Sequence, residues 1–190
     1  MPASALVVLL FVSMLMPGAA IAAPPQDVPG VVRAMDPQAV DALALGLTLS
    51  PAFRALVEGM GAWRAVVHVV VGQTRVFATT GATQLASTAN GWTFVRIVLD
   101  ERLRLDERTS VLAHELQHAR ELLDAGVQSQ QDVRQLYERI GRPVPGAWDA
   151  FETVAAAEAG VRVWRELHDT PDLRQRLAAQ TARGRSTSRP

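Results

Sequence analysis

The stretch Val111-Leu112-Ala113-His114-Glu115-Leu116-Gln117-His118-Ala119 carries two of the chain's only four histidines, four residues apart, with a glutamate directly after the first. At 3.6 residues per turn, His114 and His118 project from one helix face about one turn apart, so both imidazoles reach a single Zn²⁺. Glu115 lies about 100° round the helix, where it can act on a metal-activated water without ligating the metal. Val111, Leu112, Leu116, Ala119, Leu122 and Leu123 add apolar residues at helical spacing, which predicts a buried helix. Asp106 or Thr109 is expected to cap its start and Gly126 its end. The alternative is an amphipathic helix whose histidines are only solvated or capped.

The 190 residues, 48% hydrophobic, suffice for one domain with its own core. Net charge is zero and every basic residue is arginine, so no one-signed field argues for nucleic acid or an anionic membrane. Cysteine is absent, which removes disulfides, thiolate ligands and a cysteine nucleophile. Residues 5–16 form an uncharged apolar run too short to span a bilayer, followed by Pro17-Gly18 and the small residues Ala20-Ile21-Ala22. This predicts a signal peptide over residues 1–22, a mature start near Ala23, and a secreted or periplasmic protein without a stable membrane anchor after cleavage. No Lys or Arg precedes Arg33, so an uncleaved anchor is the competing reading. Residues 23–35, rich in Pro at their start, read as a linker.

The expected domain covers residues 36–168. Asp36-Pro37 and Ser50-Pro51 each place a capping side chain before a proline suited to the first helical position, and Gly59 and Gly61 should stop the second helix. From Trp63 the texture turns to strands. Val66-Val67-His68-Val69-Val70-Val71 is β-branched, Arg75-Val76-Phe77-Ala78 offers a partner, and residues 84–87 and 92–99 flank the hairpin turn Asn90-Gly91. Residues 82–87 are the expected edge against which an extended peptide could lie. Residues 129–140 read as a helix ended by Gly141, then comes a Pro-rich loop from Arg142 to Gly146. Residues 169–190 are expected to form a short helix and a disordered tail.

A catalytic zinc takes three protein ligands and leaves a fourth position open. Asp124 follows His118 at a known ligand spacing, but Glu121-Leu122-Leu123 continue the helix and turn it away. A later helix, read from about Asp149, offers Glu152 and Glu158. Glu152 shares a face with Ala155, Ala156, Ala159 and Gly160, small enough for close helix approach, and is preferred over Glu158. His68 within a strand is the weaker candidate, and His168 stands about 24 Å along the helix from Glu152. Tyr137, the only tyrosine, is a candidate oxyanion stabiliser, with simple packing on a helix surface as its alternative.

His114-Glu115-x-x-His118 followed by a glutamate on a separate later helix resembles the gluzincin branch of zinc metallopeptidases, which includes thermolysin. The chain is also similar to small secreted bacterial zincin-like proteins of unassigned function that carry a His-Glu-Leu-Gln-His helix and a later Phe-Glu-Thr segment, here Phe151-Glu152-Thr153. The likeness spans residues 63–167 by order of elements. It implies an α+β fold in which a small mixed or antiparallel sheet packs on the zinc helix, zincin-like, with further helices on both sides. It also implies a zinc hydrolase, with His114, His118 and Glu152 on Zn²⁺ and Glu115 as general base, acting on a peptide or protein substrate. A zinc-containing binding or assembly module without turnover is the alternative. The thermolysin branch often has an acidic residue four beyond the ligand glutamate. Position 156 here is alanine, which leaves Glu121 as a candidate to support one of the histidines.

Overall fold

The computed structural model describes residues 31–74, 79–144 and 150–169. The expected signal peptide, most of the linker, the Arg75–Ala78 strand, part of the loop before Ala150 and the tail beyond Asp169 lie outside them.

Helix α1 (Pro37–Leu49) and helix α2 (Pro51–Gly59) begin where their Asp-Pro and Ser-Pro pairs predict. Asp36 Oδ1 accepts from Ala39 N at 2.9 Å, and its Oδ2 accepts from Val71 N at 2.7 Å, so one carboxylate caps α1 and pins it to the sheet. Ser50 is fully buried and caps α2 by accepting from Phe53 N at 3.0 Å. A short 3₁₀ turn, Met60–Ala62, ends this unit. The chain bends by 111° between Pro37–Leu49 and Pro51–Ala62, and no single helix among the described residues is long and apolar enough to cross a membrane.

The fold is α+β with a small mixed sheet. Its strands are β1 (Val32–Ala34), β2 (Ala65–Gly72), β3 (Gly81–Ala89) and β4 (Trp92–Asp100), in the order β1-β2-β4-β3. β2 runs parallel to both neighbours, and β3 is antiparallel to β4. β1 corrects the linker reading of residues 23–35. Three residues carry too little periodicity to announce a strand, and β1 exists because Val31 O accepts from Val67 N at 2.8 Å and Met35 N donates to Val69 O at 2.9 Å. Asn90 at φ 52° and Gly91 at φ 74° form the expected turn between β3 and β4.

Val32, Val67, Val69, Val95, Ile97, Leu99 and Leu85 alternate onto one face of the sheet and join the core. Against that face lies helix α3 (Leu105–Asp124), whose Leu112, Ala113, Leu116, Ala119 and Leu122 are buried. Ala39 and Ala42 of α1, Phe53 and Leu56 of α2, and Val163 and Leu167 of helix α5 (Val154–Asp169) complete the same core. Helices thus flank α3 in sequence on both sides, while these four pack on a single face of the sheet. The opposite face carries the in-register row Arg33, His68 and Arg96.

The start of α3 differs from expectation. Asp106 and Thr109 lie inside the helix, and Glu107 Oε2 accepts from Arg104 N at 2.9 Å across its first turn. Thr109 is buried and its hydroxyl donates back to Leu105 O at 2.8 Å. Gly126 at φ 62° ends the helix as expected, with its N–H donating to Leu123 O at 3.1 Å. Helix α4 (Gln130–Ile140) starts on Ser129, whose side chain accepts from Asp132 N, and stops at Gly141.

Candidate metal centre

Three side chains converge beside the middle of α3. His114 and His118 leave it one turn apart with ring centroids 4.9 Å from each other. Glu152 arrives from the two-stranded ladder of β5 (Arg142–Pro143) and β6 (Phe151–Glu152). The expected helix from about Asp149 is corrected here, because α5 begins only at Val154. Thr153 accepts from Ala156 N at 3.1 Å as the capping residue, so Glu152 is held in extended backbone just before the helix. The small-residue face does bring α5 close to α3. A Cβ added to Gly160 would sit 3.3 Å from His114 Cβ, and Ser110 Oγ donates to Gly160 O at 2.9 Å.

His114 Nε2 lies 3.4 Å from Glu152 Oε2, and His118 Nε2 lies 3.9 Å from Glu152 Oε1. One ligand atom from each residue falls within 4.8 Å of the others, a group able to hold a metal ion. Ligand atoms on a tetrahedral zinc with bonds of about 2.0–2.1 Å stand roughly 3.3 Å apart, so the His114–Glu152 pair already stands at that spacing and the wider separations would close on an ion. Two imidazoles and a carboxylate are also a donor set zinc accepts.

The tautomers suit the role. His118 Nδ1 is 3.0 Å from Glu121 Oε2, so Nδ1–H donates to the carboxylate and the Nε2 lone pair is left for a metal. Glu121 is therefore the residue that supports His118. Its Oε1 accepts from Thr153 Oγ1 at 2.8 Å, which ties the segment carrying Glu152 back to α3. Burial would raise the Glu121 pKa, but hydrogen bonds from His118 and Thr153 outweigh it and leave the carboxyl below its ordinary value. Burial likewise depresses His118, yet the Glu121 hydrogen bond and the charges of Glu115, Glu121 and Glu152 raise it overall. His114 is pushed down to about 4 by burial and by His118. It is a neutral imidazole near neutral pH.

Glu115 stands apart from the three candidate ligands. It is 5% exposed, and Thr83 Oγ1 on β3 lies 2.7 Å from its Oε2 and 2.9 Å from its backbone carbonyl. Burial pushes its pKa up to about 7, against the lowering effect of His118 and Thr83. A carboxylate poised there takes or gives a proton near neutrality. β3 reaches it only because residue 81 is glycine, since a Cβ there would lie 2.6 Å from Glu115 Oε1 and 2.7 Å from Val111 Cγ1. The sequence alone assigns no role at the site to Thr83, Gly81 or Thr153. Thr153, a capping residue type before an alanine run, was the only one with a local signal.

Tyr137 is buried rather than set on the surface. Its hydroxyl is 3.3 Å from both His118 Nδ1 and His118 O, on the side of the imidazole away from Nε2. It buttresses the histidine and lines the same cavity as His114, Glu115 and Glu152. Burial first, then Glu121 and Glu115, raises its pKa, so it stays a neutral phenol. Of the other candidates, Asp124 pairs with Arg120 at 3.5 Å at the far end of α3 and Glu158 is exposed on α5. His68 occupies the sheet face turned away from the helices, and His168 stacks on Trp164 and reaches Asp106 at 3.3 Å.

The cluster opens into a cavity of about 860 Å³ between β3, α4 and the β5–β6 ladder. β3 ends the sheet order, and no further strand covers its outer edge among the described residues. The edge is not free along residues 82–87 as expected, however, because Gln130 Nε2 donates to Leu85 O at 2.7 Å. Comparison of the chain with protein-family models, with curated proteins and with solved structures finds no match.

Proposed function

We propose that the protein is a secreted or periplasmic zinc-dependent hydrolase of gluzincin type with zincin-like packing, a metallopeptidase acting on peptides or proteins. The observation that carries this reading is the convergence of His114 Nε2, His118 Nε2 and the Glu152 carboxylate beside a buried, separately held Glu115. When bound, zinc supplies Lewis acidity toward a water and a substrate carbonyl. His114, His118 and Glu152 would hold the ion, and Glu121 fixes the tautomer of His118. Thr83 engages Oε2 of Glu115, which leaves Oε1, beside Gly81, to take the water's proton. The water oxygen ends on the carbonyl carbon, the C–N bond breaks, and Glu115 delivers the proton to the departing amine. An extended substrate would pair with the outer edge of β3 next to Glu115.

One observation favours the second reading, a zinc-containing binding or assembly module without turnover: the Tyr137 hydroxyl is engaged behind His118 and gives no oxyanion donor. Cleavage of a mixed peptide library by the zinc-loaded chain separates the two. The peptidase reading requires cleavage that is lost in Glu115→Gln while zinc is retained. Tight zinc binding without cleavage of any peptide supports the module.

A further inference from the structure

We infer that the groove is closed at its Leu85 end by Gln130, so that the protein acts on short peptides or chain ends rather than on the interior of long chains. This rests on the peptidase reading. Asp100 N donates to Thr80 O at 2.9 Å, so the backbone groups of residue 80, and by strand alternation those of residues 82 and 84, point at β4. Those of Gly81, Thr83 and Leu85 therefore point outward, as the Gln130 bond to Leu85 O requires. Glu115 meets this edge at Gly81 and at Thr83, which sets the reacting bond beside those two residues. Leu85 is two residues further, about 7 Å along the strand.

The obstruction is a built corner, not a loose side chain. Gln130 is the first residue of α4, and Asp132 Oδ2 accepts from both Gln128 N at 3.0 Å and Ser129 N at 2.9 Å. Thr88 Oγ1 donates to Gln128 O at 3.3 Å, which fastens the same turn to β3. A peptide paired with Gly81 and Thr83 has room for about two residues toward Leu85 before it meets an occupied carbonyl and this turn.

The test uses the full chain with its zinc content measured, peptides of graded length, and product masses read by mass spectrometry. Each cut is expected to release, always from the same end of the peptide, a fragment of at most about two residues. Gln130→Ala is expected to raise the ratio of kcat/KM for long over short peptides about fivefold, the worth of one net hydrogen bond. Internal cuts with long fragments on both sides, as fast as those of short peptides, would overturn the closed end while leaving the peptidase reading intact. An unchanged length ratio in Gln130→Ala would remove Gln130 as the stop. If zinc-loaded protein cuts nothing of any length, the peptidase reading itself fails and takes this inference with it.

Discussion

Replacing Glu115 by glutamine in the metal-free protein removes a charge that the fold holds at a cost. The folded pKa of about 7 stands against an ordinary value of 4.5. A carboxyl raised in the folded state contributes stability that is fully present below the unfolded pKa and is lost as pH rises through the folded pKa. Wild type should therefore lose stability relative to Glu115→Gln between pH 4.5 and 7. The loss is of order 3 kcal/mol, at about 1.4 kcal/mol per pKa unit. The difference includes the part of the His118 titration that the Glu115 charge sets, since each of the two favours the charged form of the other. Urea unfolding of the two proteins in chelator, across that range, measures it directly. Zinc should close most of the gap above neutrality, because a cation beside the carboxylate favours its charged form. A stability difference independent of pH would mean that Glu115 is not held buried in the folded protein, and the reasoning about its role as base would fail.

Thr153→Val should keep the side-chain shape but break the link between Glu121 and the Glu152 segment, lowering zinc affinity about 10- to 100-fold; competition with a chromogenic chelator reads this, and Thr153→Ser should restore it. Gly81→Ala should push Glu115 out of place, costing about 1–3 kcal/mol of stability and most of the peptide cleavage, with zinc still bound; unfolding curves and zinc content on one sample check both. N-terminal sequencing of exported material should find a start near Ala23, and an intact Met1 in a membrane fraction would favour the anchor instead.

The starts of α1, α2 and α4 were legible because their signals are local: Asp36-Pro37, Ser50-Pro51 and Ser129 each combine a capping side chain with the backbone that needs it. Asn90-Gly91 announced its hairpin for the same reason. The sheet order was not legible. β1 is a strand only through its bonds to β2, more than thirty residues on, and nothing within Val32–Ala34 states that partner. At the site, Glu152 stands out by the Phe151-Glu152-Thr153 match and by a helical wheel, and the wheel does not exist at that residue. Ala155, Ala156 and Ala157 favour helix strongly enough to draw its start forward past the cap at Thr153. The small face did matter, through Gly160 packed on His114, though not as the carrier of Glu152. Thr83 and Gly81 had no local signal, since their role depends on which strand lies at the sheet edge beside α3.

X-ray anomalous scattering at the zinc edge, from crystals of the zinc-loaded chain, reads whether His114, His118 and Glu152 together hold zinc. One peak is expected within about 2.0–2.2 Å of His114 Nε2, His118 Nε2 and a Glu152 carboxylate oxygen, with Glu115 outside bonding distance. A peak held by Glu158, Asp124 or His68, or none at saturating zinc, would contradict it.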